Sequence, residues 1–263
     1  MGQAGDLALR RSAFKEAIAH LGKAIEMTEA LTGSEEQTSG RLRLQVSYGN
    51  AMIAAHGHGA PETAAAFRNA SELGAGGADL HARYSINYGL WAAAHVHGDL
   101  KAMRGPAQAF LRDVKQQSHS PEAGVAHRIS GVTQWFAGDF IEGCSHLENA
   151  LAIFNPERDR DLAFRFGQDV GVSAMVYLAI ALWPLGEVER ARELIDAATR
   201  RIAILGHLAT STFGLMHSAM CEIIARNVDS AAPLAKALSS VAHEHGIALW
   251  IGFGAFLEGW VEF

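Results

Sequence analysis

Proline is scarce in this chain, with six residues in 263, and cysteine scarcer, with two. So few prolines leave long stretches in which every backbone N–H can bond within a helix. Cys144 and Cys221 both fall on apolar helical stripes, so free buried thiols are expected rather than a disulfide framework. No basic stripe is present and the net charge is −6, which argues against nucleic-acid binding. Residues 1–30 are amphipathic and charged, without the apolar core of a secretory signal, and a cytoplasmic location is expected. The uncharged run 170–186 contains Pro184 and keeps the helical spacing of its surroundings, so it reads as a buried helix and not a membrane span. Sequence loops for nucleotides, nucleophile elbows and zinc-helix motifs are all missing. The nearest approach to a phosphate loop, 17–24, lacks its first glycine and its Ser/Thr and sits in an amphipathic helix. No catalytic residues and no cofactor are assigned.

What the chain has is apolar periodicity. Hydrophobic residues make up 49%. In 131–154 an apolar stretch ends at Phe136 and Gly138-Asp139 follows. A second stripe then runs through Ile141, Cys144, Leu147, Ala150, Leu151 and Phe154. Spacings of three and four place these on one helix face. Gly138 suits a helix C-terminus and Asp139 the next N-cap. The pattern recurs: Gly143, Leu147 and Ala150 are matched by Ala191, Ile195 and Ala198, in both cases five residues after a turn glycine. Small residues at such intervals resemble the tetratricopeptide repeat. That resemblance implies an all-α, right-handed α–α superhelix, a solenoid of about six helical hairpins.

The expected units are 8–31, 40–74, 78–117, 121–154, 169–205 and 207–245, followed by an unpaired helix at 247–263. Leu31-Thr32-Gly33-Ser34 should stop the first helix, and 33–40 reads as a polar link. Turn marks at Gly59, Gly98, Gly138, Gly186 and Asn227 lie 39, 40, 48 and 41 residues apart. The long interval contains an insertion at 155–168. The whole is expected to be one helical-repeat domain, cut from a longer multidomain protein. Leu249, Trp250, Phe253, Phe256, Leu257, Trp260 and Phe263 leave 247–263 without a polar face, which points either to a cut from a longer protein or to a homodimer through that helix.

First helices of such hairpins line a concave face, so Tyr48, Tyr84, Asn87, Trp91, His127, Arg128, Gln134, Trp135 and Tyr177 are candidate groove residues, with core packing as the alternative. In the insertion, Arg158, Arg160, Arg165, Gln168, Asp161 and Asp169 interleave with Phe164 and Phe166. Arg165, Gln168 and Asp169 are candidate ligand contacts, with a carboxylate or phosphate held through arginine; alternatively, the two phenylalanines and Arg–Asp pairs latch the loop down. Three His-x-His pairs, at 56/58, 95/97 and 243/245, lie at helix ends without further ligands at metal spacing, so no metal site is assigned.

The run FNPERDRDLAFRFGQDVGVSAMVYLAIALWPLGEVERARELI, with RRSAFKEAIAHLGKAIEM and LWIGFGAFLEGW, is similar to the C-terminal tetratricopeptide-like region of large bacterial signalling proteins. Those proteins join an adenylate/guanylate cyclase or another output domain to a signal-transduction ATPase. The run 165–169 carries most of the resemblance; Val170 departs from it, where a proline is expected. The resemblance implies a non-catalytic regulatory scaffold that binds a partner segment or its own ATPase or cyclase domains. The alternative is an effector-sensing domain with a pocket near 155–169.

Overall fold

A computed structural model describes residues 4, 7, 13–29 and 35–263. Among the described residues there are helices and no strands. The expected all-α fold is found. In order they are α1 (Phe14–Glu29), α2 (Glu35–His56), α3 (Pro61–Gly74), α4 (Leu80–Val96), α5 (Leu100–Val114), a 3₁₀ turn (Lys115–Gln117), α6 (Pro121–Phe136), α7 (Phe140–Ile153), α8 (Leu162–Phe166), α9 (Val170–Leu182), α10 (Val188–Leu205), α11 (Leu208–Ile224), α12 (Val228–Glu244) and α13 (Ala248–Glu262). Arg10, Arg11 and the stop at 31–34 lie outside the described residues.

Helix starts follow from the sequence. Asp79, Asp99, Ser120, Asp139, Asp169 and Asn227 each accept a hydrogen bond from the backbone N–H three residues on. Such caps are worth about 1 kcal/mol each. Pro61 and Pro121 open α3 and α6, where a missing N–H costs nothing. One expectation fails. The polar link is mostly helix, because α2 begins at Glu35: polar residues with acids at the N-terminus suit a first turn as well as a loop. α5 continues as one helix through Gly105-Pro106.

The turn marks also shift. Left-handed backbone falls at Gly57, Gly98, Gly138, Gly186 and Arg226, not at Gly59 or Asn227. Asn227 is instead the cap of α12.

The chain forms two compact units, 1–137 and 138–263. In the first, each helix from α1 to α6 packs on the next, and the first helices of the hairpins also touch in turn, α2 on α4 and α4 on α6. Phe67, fully buried on α3, explains how closely they approach. Its ring sits where Gly49 of α2 and Gly89 of α4 leave room; a Cβ on Gly49 would lie 2.8 Å from Phe67 Cζ, and one on Gly89 would enter the ring itself.

Gly89→Ala therefore has the opposite sign to the usual gain from alanine in a helix. It is expected to destabilise by about 1–3 kcal/mol through overpacking. Gly252→Ala on α13, where a Cβ meets nothing within 4 Å, should stabilise by about 0.5–1 kcal/mol. Urea midpoints of the two variants check both signs.

In the second unit α7 packs on α9, each helix from α9 to α13 packs on the next, and first helices again touch, α9 on α11 and α11 on α13. Its core joins Val172, Ile202, Leu215, Ala219, Ala235, Leu238 and Leu257. The repeated triplets Gly143/Leu147/Ala150 and Ala191/Ile195/Ala198 are buried throughout. Ile141, expected on the same stripe, is 75% exposed. Phe154 fills the space above Gly171, where a Cβ would stand 2.8 Å from its Cζ.

Candidate interaction surface

In the first unit the aromatic residues of α4 pack inward. Tyr84 is 1% exposed and stacks on Phe110 of α5, with ring centroids 5.0 Å apart. Trp91 is 2% exposed; its Nε1–H donates to Thr133 Oγ1 of α6 at 2.9 Å, and its ring stacks on His95 at 4.8 Å. Arg128 is also buried, with its guanidinium 5.3 Å from the Tyr88 centroid and 5.7 Å from that of Trp91. These three side chains join α4, α5 and α6. They are held away from solvent, so the expectation that they line a groove is corrected: an apolar helix with neighbours on several sides buries its aromatics.

Tyr48 is half-buried and faces α1, packing with Ala17, Leu21 and Ala51. Asn87 lies within reach of the Asp113 carboxylate of α5, to which its amide donates at 3.4 Å, and Arg83 pairs with the same aspartate. His127 and Gln134 are half-exposed, seven residues apart on α6, a helix otherwise buried along eleven positions. That spacing puts them on one face. Trp135 and Phe136, also half-exposed, pack edge to face at 5.1 Å, and Phe136 meets His95 at 5.3 Å. Besides Pro121, what α6 leaves half-buried is His127 on one face and Gln134, Trp135 and Phe136 in succession round its last turn.

The His58 ring stands edge-on to Tyr88, 6.0 Å away, with Nδ1 buried and unbonded. Burial, with the Arg128 charge adding to it, pushes its pKa down to about 4.

In the second unit Asp169 is the centre of a buried polar cluster. It caps α9 through Val172 N, and Arg201 of α10 grips it twice, Nε to Oδ1 at 2.9 Å and Nη2 to Oδ2 at 2.6 Å. Its own N–H donates to Thr210 Oγ1 of α11, and Thr210 is bound in turn by His207 Nδ1 at 2.8 Å. The Arg201 guanidinium lies 4.7 Å over the Phe154 ring. So α9, α10 and α11 meet at Asp169, whose carboxylate is held by Val172 N and Arg201 and whose N–H is held by Thr210. Asp169 is 1% exposed and positions the fold; its expected role in ligand binding is corrected on that ground.

The insertion is tied down mostly by its own residues. Asp159 accepts from Asn155 N at 2.8 Å and pairs with Arg158, whose Nη2 also donates to the Ile153 carbonyl. Phe166 is fully buried on the short α8, and Arg165 lies 4.8 Å over its ring. Of the two phenylalanines only Phe166 acts as the latch. Phe164 is 64% exposed and touches His207 edge-on. Gln168 is half-buried.

Tyr177, another candidate for the groove, is 4% exposed and packs on Phe213 and His217. His217 sits 4.0 Å from the Phe213 ring and its Nδ1–H bonds the Phe213 carbonyl. Burial takes its pKa down to about 4 against that hydrogen bond. Both cysteines are free and buried, and burial pushes the Cys221 thiol up to about 12. Among the described residues no helix is long and apolar enough to cross a membrane.

No protein-family model matches the chain, and no curated protein matches it. Solved structures do. A signal-transduction ATPase with numerous domains that carries a tetratricopeptide repeat sensor, from Pyrococcus horikoshii, is similar over 99% of this chain, with a TM-score of 0.59 and 16% identity. This chain spans 38% of that one. The TPR2AB-domain:pHSP90 complex of yeast Sti1 matches over 100% of this chain and 97% of its own, with a TM-score of 0.41 and 16% identity. The fold is a tetratricopeptide-type helical repeat. At such identity the Pyrococcus likeness speaks for the fold alone.

Proposed function

We propose that this chain is a non-catalytic interaction module, the regulatory arm of a larger bacterial, cytoplasmic signalling protein. Its partner is a protein segment or the ATPase or cyclase domain of the same polypeptide. The observation that carries this reading is the accessible strip on α6. With Pro121, the half-buried His127, Gln134, Trp135 and Phe136 are what that helix leaves in part accessible, on a fold similar to that of a Pyrococcus protein with a repeat sensor. Aromatic side chains half-exposed beside polar ones are the composition of interface centres. Asn87, Arg165 and Gln168 are secondary candidates, since each keeps accessible surface. In isolation, the exposed Leu249, Phe253 and Phe256 of α13 provide a face for self-association.

The effector reading near 155–169 is less favoured, because the charges there close on one another: Arg158 on Asp159, Arg160 on Glu157, Arg201 on Asp169. The test is a pull-down from the native cell followed by titration of each purified partner. A variant with His127→Ala, Gln134→Ala and Trp135→Ala should bind at least tenfold more weakly, since one lost hot spot is worth about 2 kcal/mol. Its melting temperature is read alongside. If partners bind the triple variant as they bind the natural chain, the strip is not the interface and the proposal fails.

A further inference from the structure

Oxygens of Asp, Asn or Ser side chains cap α4, α5, α6, α7, α9 and α12, but α11 starts on an imidazole. His207 Nδ1 accepts the Thr210 N–H at 3.3 Å. That bond settles the state of the ring: a backbone N–H can only donate, so Nδ1 carries no proton. The Thr210 hydroxyl is fixed in turn. It receives the Asp169 N–H at 2.9 Å and stands 2.8 Å from Nδ1, so its own proton goes to the ring. A directed chain of donors thus runs from Asp169, the residue after the insertion, through Thr210 to His207. The insertion meets the same ring a second time, where Phe164 of α8 lies edge to face, 5.0 Å away.

Among the described residues, the charge that acts on the ring is that of Asp169 on α9, which favours the imidazolium and is itself held by Arg201 of α10. α8 presents the Phe164 ring, and the first turn of α11 holds no acid. A proton on Nδ1 turns an acceptor of two bonds into a donor facing two donors. It also places a cation at a helix N-terminus, which the helix dipole disfavours. Burial lowers the His207 pKa from 6.5, and the Asp169 charge offsets that only in part.

We propose that His207 is an acid-sensitive clasp between the insertion and α11. Protonation of its ring frees the first turn of α11 and the outer side of the insertion, Phe164 with it, while the buried Phe166 keeps the inner side seated. The sign follows from the two accepted bonds. A ring that stays neutral when closed and takes a proton near pH 6.5 when open holds the clasp above pH 6.5 and loosens it below. At pH 5.5 the ratio of closed to open forms has fallen by at most about tenfold. The clasp is independent of the α6 strip and stands or falls apart from it.

The test is amide hydrogen exchange of the whole chain from about pH 7.5 to about pH 5.5, each rate divided by the intrinsic rate at that pH. Protection across 155–168 and the first turn of α11 should fall about three- to tenfold at the acid end. The fall is read relative to α12, which packs on α11 and carries any softening common to the second unit. His207→Ala, without the cap, should show that low protection already at the neutral end. His207→Asn and His207→Ser keep a cap that does not titrate, so protection of both segments should stay level across the range. The His207 Cε1–H resonance, assigned by its loss in His207→Asn, should titrate below 6.5. An acid loss of the same size in His207→Asn and His207→Ser, no loss in the natural chain, or a His207 midpoint at or above 6.5, each overturns the clasp.

Discussion

Arg201→Ala should cost this protein about 3–5 kcal/mol, the range for removing one partner of a buried ion pair. The reason lies in what is left behind. Asp169 has 1% of its side chain exposed and Arg201 13%, so loss of the guanidinium strands a carboxylate where water cannot reach it. The size of the loss follows from that stranded charge more than from the attraction of the pair, and this gives the experiment its sign. Adding Asp169→Asn to Arg201→Ala should restore part of the stability, because an amide is cheaper to bury than an unpaired charge and still caps Val172. If the two losses simply add, Asp169 was not stranded. Asp169→Ala alone should also be severe, since it removes the α9 cap and leaves Arg201 facing Phe154 without its anion. Urea denaturation followed by helical circular dichroism reads all three, with the slope checking that the transition is unchanged in kind.

That cluster also marks where the sequence stops being legible. The spacing starts a unit at 169, and α9 begins there, but it marks Asp169 as a ligand contact or latch and not as the cap it is. Arg201 does not stand out. It sits among the polar positions of α10, 32 residues from its partner, and no local pattern connects the two. The helices themselves were readable because their signals are local: a cap, a turn glycine, small residues every few positions. Burial on the first helices was not. Tyr84 and Trp91 have the same spacing whether they face a groove or a neighbouring helix, and only the packing of α4 against α5 and α6 decides. The left-handed turn at Arg226 was hidden for a different reason. It was placed at Asn227, one residue along, because glycine marks the other turns and arginine hides this one. In the insertion the phenylalanine latch is one of the two sequence readings and Phe166 fulfils it, but the inward turn of Leu162 and Ala163 beside it is not anticipated. A short apolar segment within a charged stretch is too brief for periodicity to register.

Acid should weaken the fold well above the range in which carboxylates titrate. His58 and His217 both have pKa values near 4, each lowered chiefly by burial, against 6.5 for an exposed imidazole. Between those values the unfolded chain takes up protons that the folded one refuses, so stability falls as pH falls. The contribution is intact above pH 6.5, declines through the window from 6.5 to about 4, and is fully lost below it. From pH 7.5 to pH 5 each histidine should remove about 2 kcal/mol by this linkage. One lies in each compact unit, so both units are expected to soften together, with the urea midpoint moving down in parallel for helical signal and tryptophan emission. His217→Phe keeps a flat ring against Phe213 and Tyr177 and removes the titrating nitrogen. It should flatten the pH dependence of the second unit while costing little at pH 7.5, and His58→Phe should do the same for the first. A slope that survives both substitutions would place the acid sensitivity elsewhere, with His146 and His207, whose pKa values burial also lowers, or with the carboxylates.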